Sequence, residues 1–193
     1  MKSDITKENI IRQTISLIQE TDGSSEHITI RKIAGKMGVG VGLINHYFGS
    51  KDNLMEVCVQ TIISEVIHAF QPRLCDGEDP VELTKCVAKQ VMDFLMNNRQ
   101  ISKISILGDL KQPKLLDNTM KTVLGFGSRL SGGHITERHK TAAFMITAVL
   151  QEAFLRKDLM KDSFGIDFYD KGDRDRFIDS IVERFGRDEL PDN

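Results

Sequence analysis

Between Ile28 and Lys51 the sequence holds no Asp or Glu, while Arg31, Lys32, Lys36 and Lys51 all fall inside that window. A local excess of cations is what phosphate binding needs, and here it sits on a chain whose formal net charge is only −2. That balance argues against a surface coated throughout in phosphate ligands and for one confined cationic face. The same window contains the run Gly38-Val39-Gly40-Val41-Gly42. A nucleotide-binding glycine loop requires a preceding strand and a following long helix. Neither pattern is present, so the run reads as a turn between short helices.

Other residues with chemical capacity give weaker patterns. His134, Glu137 and His139 could suggest a metal site, but the spacing does not match the i, i+4 pair that sets two imidazoles on one helical face. They read as surface or loop residues, and no metal or other cofactor is expected. No Ser, Cys or His lies in a recognisable nucleophile motif, and the carboxylates read as solvation of helix faces, so an enzyme is not expected. Cys58, Cys75 and Cys86 show no CxxC pairing. Neither a disulfide framework nor a cysteine zinc site follows, and a reducing cytosol fits that usage. The first residues interleave Lys7, Glu8 and Arg12 with isoleucines, unlike a signal peptide, and the longest apolar run, Ala142 to Leu150, is far too short for a membrane span. The expectation is a soluble cytoplasmic protein with no membrane partner.

The elements that would hold the cationic window follow from periodicity. Ile11, Ile15 and Ile18, flanked by Ile10 and Leu17, predict an amphipathic helix over about Thr6 to Thr21, ended by Asp22-Gly23-Ser24-Ser25. Thr29 is an N-cap type before a short helix carrying Ile30, Ile33, Ala34 and Met37, and Gly38 suits its positive-φ stop. A third short helix covers Val41 to Phe48. Ser50 caps a fourth, whose apolar positions Leu54, Cys58, Ile62, Val66 and Phe70 keep helical spacing until Pro72. After a loop from Leu74, Asp79 as cap, Pro80 at the first helical position and Glu82 three residues beyond the cap start a helix running to about Asn97. Further helices are predicted over Arg99 to Leu107, Pro113 to Leu130, Ile135 to Lys161 and Asp173 to Phe185. No sustained period-2 alternation and no fixed-period repeat occur. The fold class is all-α, with a helix-turn-helix domain expected over 1–50 and a larger helical domain over 51–193.

Two short helices joined by a Gly-centred turn make a helix-turn-helix, which lays one helix across the DNA backbone and the next in the major groove. Ile33, Ala34, Val39 and Ile44 would pack the pair on the first helix, leaving the outward side of Val41 to Tyr47 for DNA. Phe48 reads as a core aromatic, whereas Tyr47 suits either core or groove. Asn45 could pair with adenine or bond to phosphate.

Thr29-Ile30-Arg31-Lys32-Ile33-Ala34, then Met37-Gly38-Val39, then Gly42 to Leu54 resembles the DNA-binding segment of the tetracycline-repressor (TetR) family, which shows T-x-x-x-I-A-x-x-A-G-V-S followed by G-x-L-Y-x-Y/H-F-x-S-K-E-x-L. Gly40 stands where that pattern has Ser, and Asn45 where it has Tyr. The resemblance implies about nine helices, a dimer formed through the last two long ones, and a ligand cavity in the C-terminal domain. By position it places Thr29 and Lys51 on phosphate, Val41, Gly42 and Leu43 against base edges, and His46 and Tyr47 on phosphate or the groove wall. Arg31 and Gly40 complete the expected DNA surface.

In the C-terminal half, Met92, Phe94, Met96, Met120, Leu124, Phe126, Phe144 and Met145 read either as core or as the wall of an adaptable pocket for an apolar or amphipathic effector. Ile146, Leu150 and Phe154 on one predicted helix, with Ile178, Ile181, Val182 and Phe185 on the last, are the expected homodimer faces. The function expected is a DNA-binding transcriptional regulator, a repressor released from a palindromic operator by a small molecule. The alternatives are an activator or partner-controlled regulator and, from another class, a helical enzyme or interaction protein without DNA binding.

Overall fold

The computed structural model describes residues 2–20, 28–69 and 79–187. Among them every regular element is a helix: α1 Lys2–Gln19, α2 Ile30–Met37, α3 Val41–Phe48, α4 Lys51–Ala69, α5 Pro80–Asn97, α6 Arg99–Lys111, α7 Asn118–Leu130, α8 Glu137–Leu155, α9 Lys157–Phe164 and α10 Lys171–Arg187. The expected stop at Asp22-Gly23-Ser24-Ser25, the loop from Leu74 and Cys75 lie outside the described residues. No described helix is long and apolar enough to cross a membrane.

The helices divide into two compact units, one of α1 to α4 with α6, the other of α5 with α7 to α10. This division departs from the boundary expected after residue 50. α4 and α6 bury Leu54, Cys58, Ile62 and Ile101 in one core with Ile10, Ile18, Ile33, Ile44 and Phe48, so they are part of the hydrophobic support of the helix-turn-helix.

In α1 the fully buried stripe is Ile10, Thr14 and Ile18, with Leu17 nearly so, while Ile11 and Ile15 are half-buried. The inner face is thus rotated from the expected isoleucine stripe. Thr14 is admitted because its hydroxyl donates to the Ile10 carbonyl at 2.7 Å, which satisfies the buried polar group locally.

In the second unit the helix expected over Pro113 to Leu130 starts only at Asn118. Asp117 accepts from the Met120 and Lys114 amides at 2.8 and 2.9 Å, so it caps the helix and ties down the turn before it. The single helix expected over Ile135 to Lys161 is broken at Arg156, where φ is −100° and ψ 12°, and this break makes ten helices rather than nine. At the start of α5, Asp79 Oδ1 accepts from the Val81 amide at 2.9 Å as expected of a cap. Glu82, however, pairs with Lys85 at 2.7 Å and does not close a capping box. A box forms instead at α8. The Thr136 hydroxyl accepts from the His139 amide, while the Thr136 amide donates to His139 Nδ1 at 3.2 Å, so this histidine is a capping group rather than a loop residue.

At Gly127 α7 lies close to α8. A Cβ there would lie 3.6 Å from the His139 carbonyl oxygen and 3.7 Å from Ala143 Cβ, so small residues on both helices let the backbones meet. Cys58 is free and buried.

Candidate nucleic-acid interface

The turn between α2 and α3 is fixed by main-chain bonds. Thr29, extended at φ −110°, accepts the Lys32 amide on its hydroxyl oxygen at 3.1 Å and starts α2. At the other end Gly38 takes φ 65°, its amide donating to Gly35 O at 3.3 Å and the Val39 amide to Ala34 O at 3.0 Å. This pair of bonds is the Schellman closure, which needs a left-handed residue and is least costly with glycine. Val39 then turns inward against the core.

α3 begins at Gly40, whose carbonyl accepts the Leu43 amide at 3.0 Å while no side chain caps the first turn. It ends at Gly49, whose amide donates to Asn45 O at 2.8 Å, and Asn53 Nδ2 covers the Phe48 carbonyl at 3.1 Å. Ser50 Oγ accepts the Asn53 amide at 3.1 Å and caps α4. Both ends of the candidate recognition helix are therefore held by defined bonds on a rigid support.

Burial separates the two sides of α3. Ile44 and Phe48 are buried in the core of the first unit, and Lys7 Nζ lies 5.9 Å over the Phe48 ring. Gly40, Val41, Gly42, Asn45 and His46 are exposed, and Leu43 and Tyr47 are half-buried. Tyr47 meets both expectations, since it packs against the core and also stands edge-on to the exposed His46 ring at 5.5 Å between centroids. Thr29, Arg31 and Lys32 are exposed on α2, and Lys51 is half-buried at the start of α4.

The electrostatics differ from a count of charges along the sequence. Lys36 is bound to Glu20 at 2.7 Å and to Ser16 Oγ at 3.4 Å, an exposed α1–α2 link that gives it a counter-charge within the unit. Hydrogen bonds from Lys36 and Ser16 hold the Glu20 carboxyl below the usual range. Asp52, in the first turn of α4, is paired with Lys111 of α6 at 2.8 Å, and that bond lowers its pKa. The acid nearest the expected phosphate site thus carries its own counter-charge. Sequence reasoning missed Lys111 because a pair so distant along the chain leaves no periodic signal.

The residues expected in the second unit fall differently. Ile146, Leu150, Phe154, Ile178 and Val182 are buried within the protomer, so they form the α8 and α10 inner faces and are not available as an exposed dimer surface. Ile181 and Phe185 are half-buried. Of the expected pocket residues, Met92 is buried, Phe94, Met96, Met120 and Met145 are half-buried, while Leu124 and Phe144 are exposed, Phe144 at 54%. Leu124 and Phe144 therefore do not wall an enclosed cavity. α7 and α8 turn Val123, Phe126, Ala143 and Ile146 inward, and these two face out. Among the described residues no cluster of His, Cys, Asp or Glu could hold a metal ion.

A capped helix, a left-handed glycine turn and a second helix with one buried and one bare, acid-free face define a helix-turn-helix DNA-binding domain. Residues 24–58 match the model of the family described as bacterial regulatory proteins, tetR family. Over this segment the chain is similar to the DNA-binding part of that family. It is 31% identical over 100 residues to the HTH-type transcriptional regulator BetI 1 of Chromohalobacter salexigens, covering 51% of this chain and 48% of that protein. It is also 31% identical over 115 residues to the HTH-type transcriptional regulator BetI of Stenotrophomonas maltophilia, covering 58% of each. A second Chromohalobacter salexigens regulator, BetI 2, is 36% identical over 75 residues, 39% of this chain and 35% of that protein. The chain spans about half the length of the curated relatives it matches.

Proposed function

We propose that the protein is a DNA-binding transcriptional regulator that docks α3 in the major groove of an operator, with α2 and the start of α4 against the flanking phosphates. The observation that supports this reading best is the outward side of α2 and α3. It offers exposed Arg31, Lys32, Asn45 and His46 with no carboxylate between Ile28 and Lys51, and a bound duplex would meet no like charge there. Thr29 keeps its hydroxyl proton to donate to phosphate while its oxygen caps α2. Lys51 stands at a helix N-terminus, where free amides favour an anion. Gly40, Val41, Gly42 and Leu43 present an almost apolar surface to base edges, so thymine methyl contacts and DNA shape contribute to selectivity beside Asn45.

The regulator acts as a cytoplasmic homodimer, which matches two recognition helices to half-sites roughly 34 Å apart on a palindromic operator. Its isologous face is the outward stripe of α8 through Phe144 and Ala148, because the inner stripe is already covered. The second unit senses a small apolar or amphipathic molecule among Met92, Phe94, Met96, Met120 and Met145. Binding that favours one head spacing over another shifts the dimer off its operator and relieves repression. The test is binding to the DNA upstream of the protein's own gene, titrated with salt. Selective, salt-sensitive binding supports the reading, and no selective binding there or across a randomised duplex pool overturns it.

A further inference from the structure

Gly42 has no reason within the protomer to be glycine. Its φ lies outside the left-handed region, it sits inside a helix, and a Cβ built on it meets no atom within 4 Å. Glycine in such a place weakens a helix relative to alanine, since it has more backbone freedom to lose on folding. Openness alone does not single it out, because Gly35, Gly108 and Gly125 also have open space. Position does. Gly42 and His46 are four residues apart on α3 and both exposed, so they form one ridge, while Ile44 and Phe48 form the buried ridge on the other side. The crown of the helix thus carries an imidazole at one turn and bare main chain at the turn before it. Gly40, extended and uncapped, continues the bare surface to the helix start.

We propose that Gly42 sets how closely the recognition helix approaches DNA: the missing side chain at the crown of α3 lets the main chain of its first turn lie against the floor of the major groove. This inference rests on the DNA-binding reading above. A methyl group at position 42 fits the free protein and not the complex. Fold and binding therefore favour different residues there, as they do wherever stability is given up at a functional surface.

The experiment compares the wild-type chain with Gly42→Ala and with Gly108→Ala, a matched glycine in α6 of the same unit. Affinity is read by fluorescence anisotropy on duplexes that the wild-type protein enriches from a randomised pool, and stability by thermal unfolding. Both alanines are expected to raise Tm by about 2–4 °C. Gly42→Ala is expected to bind those duplexes about tenfold or more weakly, as overpacked contacts do, and Gly108→Ala to stay within about twofold of wild type. Gly42→Ala binding like wild type would overturn the proposal. A lowered Tm would overturn it too, by showing that the fold itself needs glycine there. If the wild-type protein enriches no sequence, the DNA-binding reading fails first and takes this inference with it.

Discussion

Arg174 of α10 donates from Nη2 to Asp93 Oδ1 of α5 at 2.8 Å and from Nη1 to the Phe168 carbonyl at 2.8 Å, with its Nε buried and unpartnered. It is the inner end of a ladder. Lys89 meets Asp179 at 2.6 Å, Lys85 meets Glu183 at 2.5 Å, and Asp79 meets Arg187 at 2.6 Å. From the Asp79 cap through α5 the order is acid, base, base, acid, and α10 answers in reverse with base, acid, acid, base. Sliding α10 one turn so that Lys89 meets Glu183 would set Lys85 against Arg187 and Asp93 against Asp179. The charges therefore specify antiparallel orientation and register for a helix that fully buries only Ile178 and Val182.

The rungs differ in what their loss should cost. Arg174 is 6% exposed, so Asp93→Asn leaves a buried guanidinium without its carboxylate and should destabilise the protein by about 2–3 kcal/mol. Lys89→Ala removes a more exposed rung and should cost less than about 1 kcal/mol. Urea denaturation followed by circular dichroism distinguishes the two. Equal costs would show that burial does not rank the ladder.

The ladder also fixes a pH response. Burial pushes the Asp93 carboxyl up, but hydrogen bonds from Arg174 and Lys171 outweigh it and leave the group below its ordinary value. Arg187 lowers Asp79, Lys85 lowers Glu183, and Glu183 with Glu82 raises Lys85. The lowered carboxylates contribute stability that is complete above the unfolded values of about 4 and is lost as pH falls through the folded ones. The raised lysine contributes below about 10.4 and loses its part as pH rises beyond that. The urea midpoint should stay flat between these limits as far as these groups are concerned and fall below about pH 4, with a shallower acid limb in Glu183→Gln.

Much of the helix-turn-helix was legible because its determinants are local. The capping threonine, the left-handed glycine and the apolar pair Ile33 and Ile44 act within a few residues, and the observed bounds of α3 are those read from the sequence. The C-terminal site residues were not legible in the same way. Periodicity shows that Ile146, Leu150, Ile178 and Val182 share inner faces, but it cannot say whether another helix of the same protomer or a second copy covers them. The break at Arg156 was hidden because the apolar pattern runs through it to Met160, which is buried on the next helix.

The reassigned dimer face gives a direct test. Phe144 is 54% exposed on α8, so Phe144→Asp should leave unfolding stability within about 0.5 kcal/mol. In a dimer that seats this ring at its interface, the buried carboxylate would cost several kcal/mol and yield monomers. Sedimentation equilibrium reads the outcome, and an undisturbed dimer would place the interface elsewhere.

Cys58 reports on the first unit. Burial raises its thiol to about 12, only partly opposed by the neighbouring Thr14 side chain, so the reactive thiolate is scarce in the folded state. Alkylation by iodoacetamide at pH 8 should proceed at Cys58 only as fast as the unit opens and should accelerate across the urea transition. Rapid labelling in native buffer would show that α1 and α4 separate readily around it.

The four cations of the acid-free window should not contribute alike to DNA binding. Lys36 is held by Glu20 and Ser16, with its ammonium directed along the α1–α2 contact, whereas Lys51 stands where α4 begins. Removing one lysine–phosphate pairing reduces the slope of log K against log salt by about 0.9, and in a homodimer a single substitution removes two such pairings. Lys51→Ala should therefore flatten the slope by nearly two, while Lys36→Ala leaves it unchanged and costs at most about 1 kcal/mol of stability. Titration of both variants from low to moderate salt on one duplex decides the matter. A slope that falls for Lys36→Ala would mean that DNA draws this lysine away from Glu20, so that docking loosens α2 from α1 as it forms.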